Sequence, residues 1–144
     1  MDQQLFYKGE NVMKNVLLLV VAVLLGIGGA SQALSADIQT ISKEELKSKL
    51  GSYEYTILDV RSENHWEASD NKIPGAIRLP DDKVDIWAEN FHKNTPLVLY
   101  CACEGLGTSG RLAQQLMDKG FTHVYALSGG WTEWLMNSYP VAHK

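Results

Sequence analysis

Short apolar runs alternate with longer amphipathic stretches along residues 37–144, and each block predicts one element. Ile38–Ile41 reads as a short strand. Ser42-Lys43-Glu44-Glu45 is a capping box, opening a helix that runs through Leu46 and Leu50 and stops at Gly51. Tyr55–Val60 is a buried strand by its β-branched and apolar content. Residues 62–70 are polar around Trp66 and predict a short helix. Ile73-Pro74-Gly75 turns into a third strand, Ala76–Leu79, closed by Pro80. Asp82–His92 follows a helical pattern that presents Ile86, and Trp87 beside it, inward. Pro96 starts a fourth strand, Leu97–Tyr100. Ser109–Lys119 is a helix with Leu112, Ala113, Leu116 and Met117 on one face and Gly120 at its end. His123–Leu127 is the fifth strand; Gly129-Gly130 breaks it, and Trp131, Trp134 and Leu135 line a final helix. Strands that alternate with helices predict an α/β fold: a five-stranded, mostly parallel sheet with helices on both faces.

The front of the 144-residue chain has a different pattern. Lys14 precedes the apolar run Val16–Leu25, and the small residues of Gly26–Ala33 follow. A basic start, a short apolar core and small residues before a cut are the marks of a secretory signal peptide. The apolar core falls short of the ~20 residues that span a bilayer. Cleavage after Ala33 and cleavage after Ala36 both fit, and an uncleaved membrane tether is the alternative. Residues 1–12 suit a signal badly, because Asp2 and Glu10 cancel its positive charge. The organisation expected is therefore a translated leader over 1–12 with the true start at Met13, a signal peptide over 13–36, and one domain over 37–144. Such a protein is exported or periplasmic, and meets a membrane only if the signal stays on.

The formal net charge is −4, and residues 1–36 hold two acids and two bases, so the remainder keeps that charge. Mild acidity without a basic cluster argues against nucleic acid as the partner. The two cysteines, Cys101 and Cys103, stand one residue apart and cannot staple distant parts of the chain. Their place is the informative feature. An apolar strand ends in Cys101, a glycine-containing loop follows, and a helix begins. That order aims a thiol at free backbone N–H groups, where a thiolate or an anion is favoured.

Other chemistries fit less well. His65, His92, His123 and His143 are scattered, and none completes a tetrahedral metal set with the two thiols. No Gly-x-Ser-x-Gly elbow is present. The spacings Cys103-x7-Arg111 and Cys101-x9-Arg111 do not match the Cys-x5-Arg of a phosphatase or arsenate reductase. No metal and no cofactor is expected.

Leu58-Asp59-Val60-Arg61, Ile73-Pro74-Gly75-Ala76-Ile77, Leu99-Tyr100-Cys101, Ser109-Gly110-Arg111 and Leu127-Ser128-Gly129-Gly130-Trp131 with Trp134 occur in one order over most of residues 38–142. In that set the chain resembles the rhodanese (thiosulfate sulfurtransferase-like) domain. The resemblance implies a cysteine that carries sulfane sulfur as a persulfide, taken from a small donor or a persulfidated protein and passed to a thiol or other nucleophile. A non-catalytic binding or redox-sensing module using the Cys-x-Cys pair is the alternative.

Three departures from the family pattern stand in the chain. Lys72 precedes Ile73-Pro74-Gly75-Ala76 where many relatives have histidine, the loop carries no Arg or Lys, and it is two residues longer than usual. Counting from the strand makes Cys101 the family cysteine; counting back from Ser109 makes it Cys103. Cys101 is the first candidate for the carrier because it ends the strand, with Cys103 as a resolving thiol. The alternative is a buried, inert Cys101 and a reactive Cys103. Glu104, Gly105, Leu106, Gly107, Thr108 and Ser109 form the substrate cup, Thr108 and Ser109 also capping the helix, with a hydroxyl contact to the bound sulfur as their secondary role. Glu104 raises the thiol pKa and repels thiosulfate, unless it points to solvent. Arg111 braces the loop or pairs with Asp59, a solvated surface arginine being the alternative, while Asp59 and Arg61 are structural clamps rather than acid–base groups. Trp131 and Trp134 are core, or one of them walls the pocket.

Overall fold

The computed structural model describes residues 37–103 and 105–144. The leader and signal segment read over 1–36, and Glu104, lie outside the described residues. Among the described residues no helix is long and apolar enough to cross a membrane.

The strands are β1 (Gln39–Ile41), β2 (Thr56–Asp59), β3 (Asn71–Lys72), β4 (Ile77–Arg78), β5 (Leu97–Tyr100), β6 (Val124–Leu127) and β7 (Ala142–His143). The helices are α1 (Lys43–Ser48), α2 (Glu63–Glu67), α3 (Val84–Trp87), α4 (Gly107–Asp118) and α5 (Gly130–Met136). Five strands form one sheet in the order β1-β6-β5-β2-β4, and every neighbouring pair in it is parallel. The short β3 and β7 pair antiparallel in a second sheet that the apolar pattern did not predict. Two-residue strands carry no readable period.

Alternation along each strand sorts side chains to two faces. In β5, Leu97 and Leu99 join Leu58, Val84, Trp87, Leu112, Ala113 and Leu116 on one face. Val98 and Tyr100 join Leu46, Ile57, Trp131 and Trp134 on the other. Helices α3 and α4 thus cover one face, and α1 and α5 the other. Burying each leucine-sized side chain of these layers stabilises the fold by about 1.5–3 kcal/mol.

Three expectations about the helices are corrected. The helix read over Asp82–His92 is a single turn, α3, continued by a 3-10 turn over Ala88–Asn90. Val84, Trp87 and Ala88 are its buried residues and Ile86 is 69% exposed, because a short helix docks one narrow stripe. Leu135 is likewise exposed, leaving Trp131 and Trp134 to seat α5. Trp134 satisfies its indole N–H on the Pro140 carbonyl at 2.8 Å.

Candidate active site

The central strand β5 delivers Cys101 beyond its carboxyl end, where ligands of parallel sheets sit. The backbone bends at Ala102 and Cys103, and α4 begins at Gly107. Leu106 occupies the N-cap and its side chain caps nothing. Sulfur fills that role. The Thr108 N–H is directed at the Cys103 sulfur, and the N–H groups of Ser109 and Cys103 at the Cys101 sulfur. The Thr108 and Ser109 amides belong to the first helical turn, whose N–H groups have no partner within a helix, and each lowers the pKa of the thiol beside it. This corrects the expectation that Thr108 and Ser109 cap the helix. Ser109 is buried inside the first turn and donates back to the Leu106 carbonyl at 2.8 Å.

The two thiols have opposite surroundings. Cys101 is 1% exposed. Its S–H faces acceptors, the Ser109 hydroxyl oxygen at 3.6 Å and the Leu106 carbonyl at 3.9 Å. Burial pushes its pKa up, against the pull of the Ser109 and Cys103 amides. Cys103 is only part-buried and stands 3.5 Å from the Thr108 hydroxyl. Burial pushes this thiol up too, but the Thr108 amide and hydroxyl and the Cys101 S–H outweigh it and hold it below its ordinary value. The Asp81 carboxylate works against them. Cys103 therefore carries the larger share of thiolate.

Glycines make the cup possible at two positions. Gly107 has φ +25°, and a Cβ there would lie 2.5 Å from the Cys103 Cβ and 3.0 Å from its sulfur. Gly130 has φ +50°, and its Cβ would meet the Cys101 carbonyl oxygen at 2.4 Å. That carbonyl accepts from the Trp131 N–H at 2.8 Å, which ties the loop to the start of α5. Gly107→Ala is expected to displace the Cys103 sulfur and slow its reaction with a sulfur donor about a hundredfold. Stopped-flow loading rates check this; a rate within about twofold of the parent would refute the steric argument.

Asp59 and Arg61 form a clamp beneath the loop. The pair has no solvent exposure and is joined by Nη2–Oδ2 at 2.6 Å and Nε–Oδ1 at 2.9 Å. Tyr100 donates its phenol to Asp59 Oδ2 at 2.5 Å, and burial together with the Asp59 charge pushes the Tyr100 pKa strongly up. Arg61 lies over the Trp131 ring, 4.5 Å from its centroid. Arg111 does not reach Asp59. It is exposed, and its Nη2 sits 3.4 Å from the Asp81 carbonyl. The carboxylate is already occupied by a side chain two residues along the same extended segment, on the same face.

Gly105 and Leu106 lie in the turn before α4, and Leu106 contributes the carbonyl that Ser109 and the Cys101 thiol share. Lys72 donates to the Ala76 carbonyl at 2.9 Å and braces the turn before β4. The sequence reading missed Gly130, taken as a strand breaker, and Asp81, whose charge acts on Cys103. The doublet Gly129-Gly130 and the acidic pair after Pro80 were the available signals. Among the described residues no group of three His, Cys, Asp or Glu side chains is placed to hold a metal.

The profile described as Rhodanese-like domain matches residues 42–137. The chain is similar to the protein YqhL of Bacillus subtilis, 31% identical over 97 residues, spanning 67% of this chain and 72% of that one. It is also similar to thiosulfate sulfurtransferase GlpE of Coxiella burnetii, 35% identical over 78 residues, spanning 54% and 69%. Among solved structures, the rhodanese-like domain of an Anabaena protein superposes with a TM-score of 0.63 at 30% identity, covering 73% of this chain and 79% of that one.

Proposed function

The chain belongs to the rhodanese-like family, and from that premise we propose that it is a sulfurtransferase carrying a sulfane sulfur as a persulfide on Cys103. The observation that carries the assignment is the partial exposure of this thiol, 3.5 Å from the Thr108 hydroxyl, whereas Cys101 is enclosed; its lowered pKa agrees with it. The Cys103 thiolate attacks the terminal sulfur of a donor persulfide. A bond forms between Cys103 Sγ and that sulfur, the donor S–S bond breaks, and its electron pair leaves with the donor thiolate. A second thiol then attacks the bound sulfur, and Cys103 departs as thiolate. The Thr108 amide and the helix N-terminus favour the anion at both stages.

Donor choice follows from charge. Among the described residues the Asp81 carboxylate acts on Cys103, and the loop sequence adds the acidic Glu104 and no Arg or Lys. Thiosulfate concentrates two negative charges in one small group at that position, whereas a glutathione or protein persulfide places at most one on the reacting sulfur and carries its other charges on groups farther away. With residues 13–36 acting as an export signal, donor and acceptor are those met outside the cytoplasm. Incubating the purified full chain with each donor, trapping with an alkylating reagent and weighing the protein tests the reading. The expected result is the added mass of one sulfur mapping to Cys103, formed at least about tenfold faster from glutathione persulfide than from thiosulfate. A chain that gains no sulfur from either donor while both thiols stay free is a binding or sensing module instead.

A further inference from the structure

The persulfide of the preceding section leaves one nucleophile unused. Cys101 is enclosed by the protein, so no bulky donor or acceptor reaches it. Yet its sulfur and that of Cys103 converge on one point. The position a Cβ would take at Gly107 is 3.0 Å from the Cys103 sulfur and 3.9 Å from the Cys101 sulfur. Both cysteine carbonyls approach Gly130, that of Cys101 close against its Cβ position and that of Cys103 at 3.9 Å from it. The two sulfurs therefore border one space, the one that the missing side chain of Gly107 leaves open.

Resting on that reading, we propose that Cys101 is an internal resolving thiol that converts the Cys103 persulfide into a Cys101–Cys103 disulfide and releases hydrosulfide. The Cys101 sulfur attacks Cys103 Sγ, the inner sulfur of the persulfide. The Cys101–Cys103 bond forms and the bond from Cys103 to the terminal sulfur breaks. The terminal sulfur leaves with that electron pair and the Cys101 proton, as HS⁻. Two thiol sulfurs are oxidised by two electrons in all, and the sulfane sulfur is reduced to sulfide by the same two. A protein or small-molecule dithiol then restores the pair by thiol–disulfide exchange. The ring closed by a Cys-x-Cys disulfide is tight, so it is readily reduced.

The surroundings of Cys101 suit this step. Its S–H is held by acceptors, the Leu106 carbonyl and the Ser109 hydroxyl, so the proton is still in place when the leaving sulfur needs it. When Cys101 passes that proton to the terminal sulfur it attacks as thiolate, and its raised pKa makes that thiolate the stronger nucleophile. Burial confines its reaction to whatever sits on Cys103.

The test uses the reduced full chain, glutathione persulfide as donor, no added reductant, timed alkylation with intact-mass readout, and a sulfide assay. The parent is expected to gain the mass of one sulfur, then lose it together with two hydrogens, as one equivalent of sulfide appears. Cys101→Ala, which keeps the site apolar, and Cys101→Ser are expected to hold the extra sulfur on Cys103 and release sulfide at least about tenfold more slowly. A parent that keeps its sulfur as long as Cys101→Ala does, with Cys101 still open to alkylation after denaturation, overturns the resolving role. Failure of the underlying reading looks different: folded Cys101→Ala would never gain sulfur at all.

Discussion

Replacing Cys103 by Ser is expected to abolish sulfur loading, lowering its rate by at least about three orders of magnitude while the domain stays folded. A serine hydroxyl is not ionised near neutral pH and cannot hold a second sulfur, so no residual path runs through residue 103. What remains is Cys101, 1% exposed and pushed up in pKa by burial. Cys101→Ala should still load sulfur on Cys103, more slowly for want of the Cys101 S–H, because the Thr108 amide and hydroxyl still face that sulfur. The competing assignment, in which the strand-ending Cys101 is the carrier, expects the reverse pattern, so mass mapping of the two variants decides between them. Sulfur found on Cys101 in the Cys103→Ser protein would overturn the assignment.

The pH dependence supplies a second readout of the same difference. A thiol reacts as thiolate, so its alkylation rate rises as pH climbs through its pKa and levels above it. Cys103, held below its ordinary value, should reach its plateau at lower pH than a free thiol; Cys101 should still be climbing where Cys103 has levelled. Because each thiol acts on the other's titration, the two are read by mapping the label to each cysteine rather than from the total rate. Coincident profiles for the two residues would count against the proposed division of labour.

Much of this arrangement was readable from residue order, and the failures have a common cause. Strands β2, β5 and β6 announced themselves because both their faces are buried, which leaves short continuous apolar runs such as Leu97–Tyr100. The cup was legible as a strand, a thiol and a helix in succession. Which thiol faces solvent was not, since Cys101 and Cys103 differ in burial through a bend at Ala102 that no period encodes. Arg111 was expected at Asp59 on charge and helix position, but the Arg61 side chain reaches that carboxylate without leaving its own segment. Likewise Thr108 and Ser109 look like caps by composition, yet the acceptors at that helix mouth are sulfurs brought from β5. Each miss turns on which side chain reaches a shared partner first, and residue order alone does not encode that.

Removing the Asp59 carboxylate should have the largest effect on stability. Asp59→Ala leaves the Arg61 guanidinium wholly enclosed, with the Asn71 carbonyl at 3.1 Å as its remaining hydrogen-bond acceptor among the described residues. Nη1 of that guanidinium already lacks a partner there and rests on aromatic faces, Trp131 at 4.5 Å and Trp66 at 5.1 Å from its central carbon. Stranding a buried charge in this way costs about 3–5 kcal/mol. A domain of this size has only about 5–15 kcal/mol of stability in total. Tyr100 loses its acceptor in the same variant, which adds to the cost. Urea unfolding should show the midpoint falling sharply with an unchanged slope. Asp59→Ala combined with Arg61→Met removes the stranded charge, and is expected to recover a substantial part of the loss. A single variant that loses less than about 1 kcal/mol would mean the pair is not the clamp its geometry describes. The stake for the site is direct. Asp59 pairs in register with Tyr100 at the end of β5, and Arg61 packs on Trp131, whose N–H holds the Cys101 carbonyl. The ion pair therefore fixes both the strand that leads into the two cysteines and the helix start that anchors their loop, which makes its chemistry structural and its position, beside the residue that precedes Cys101, functional.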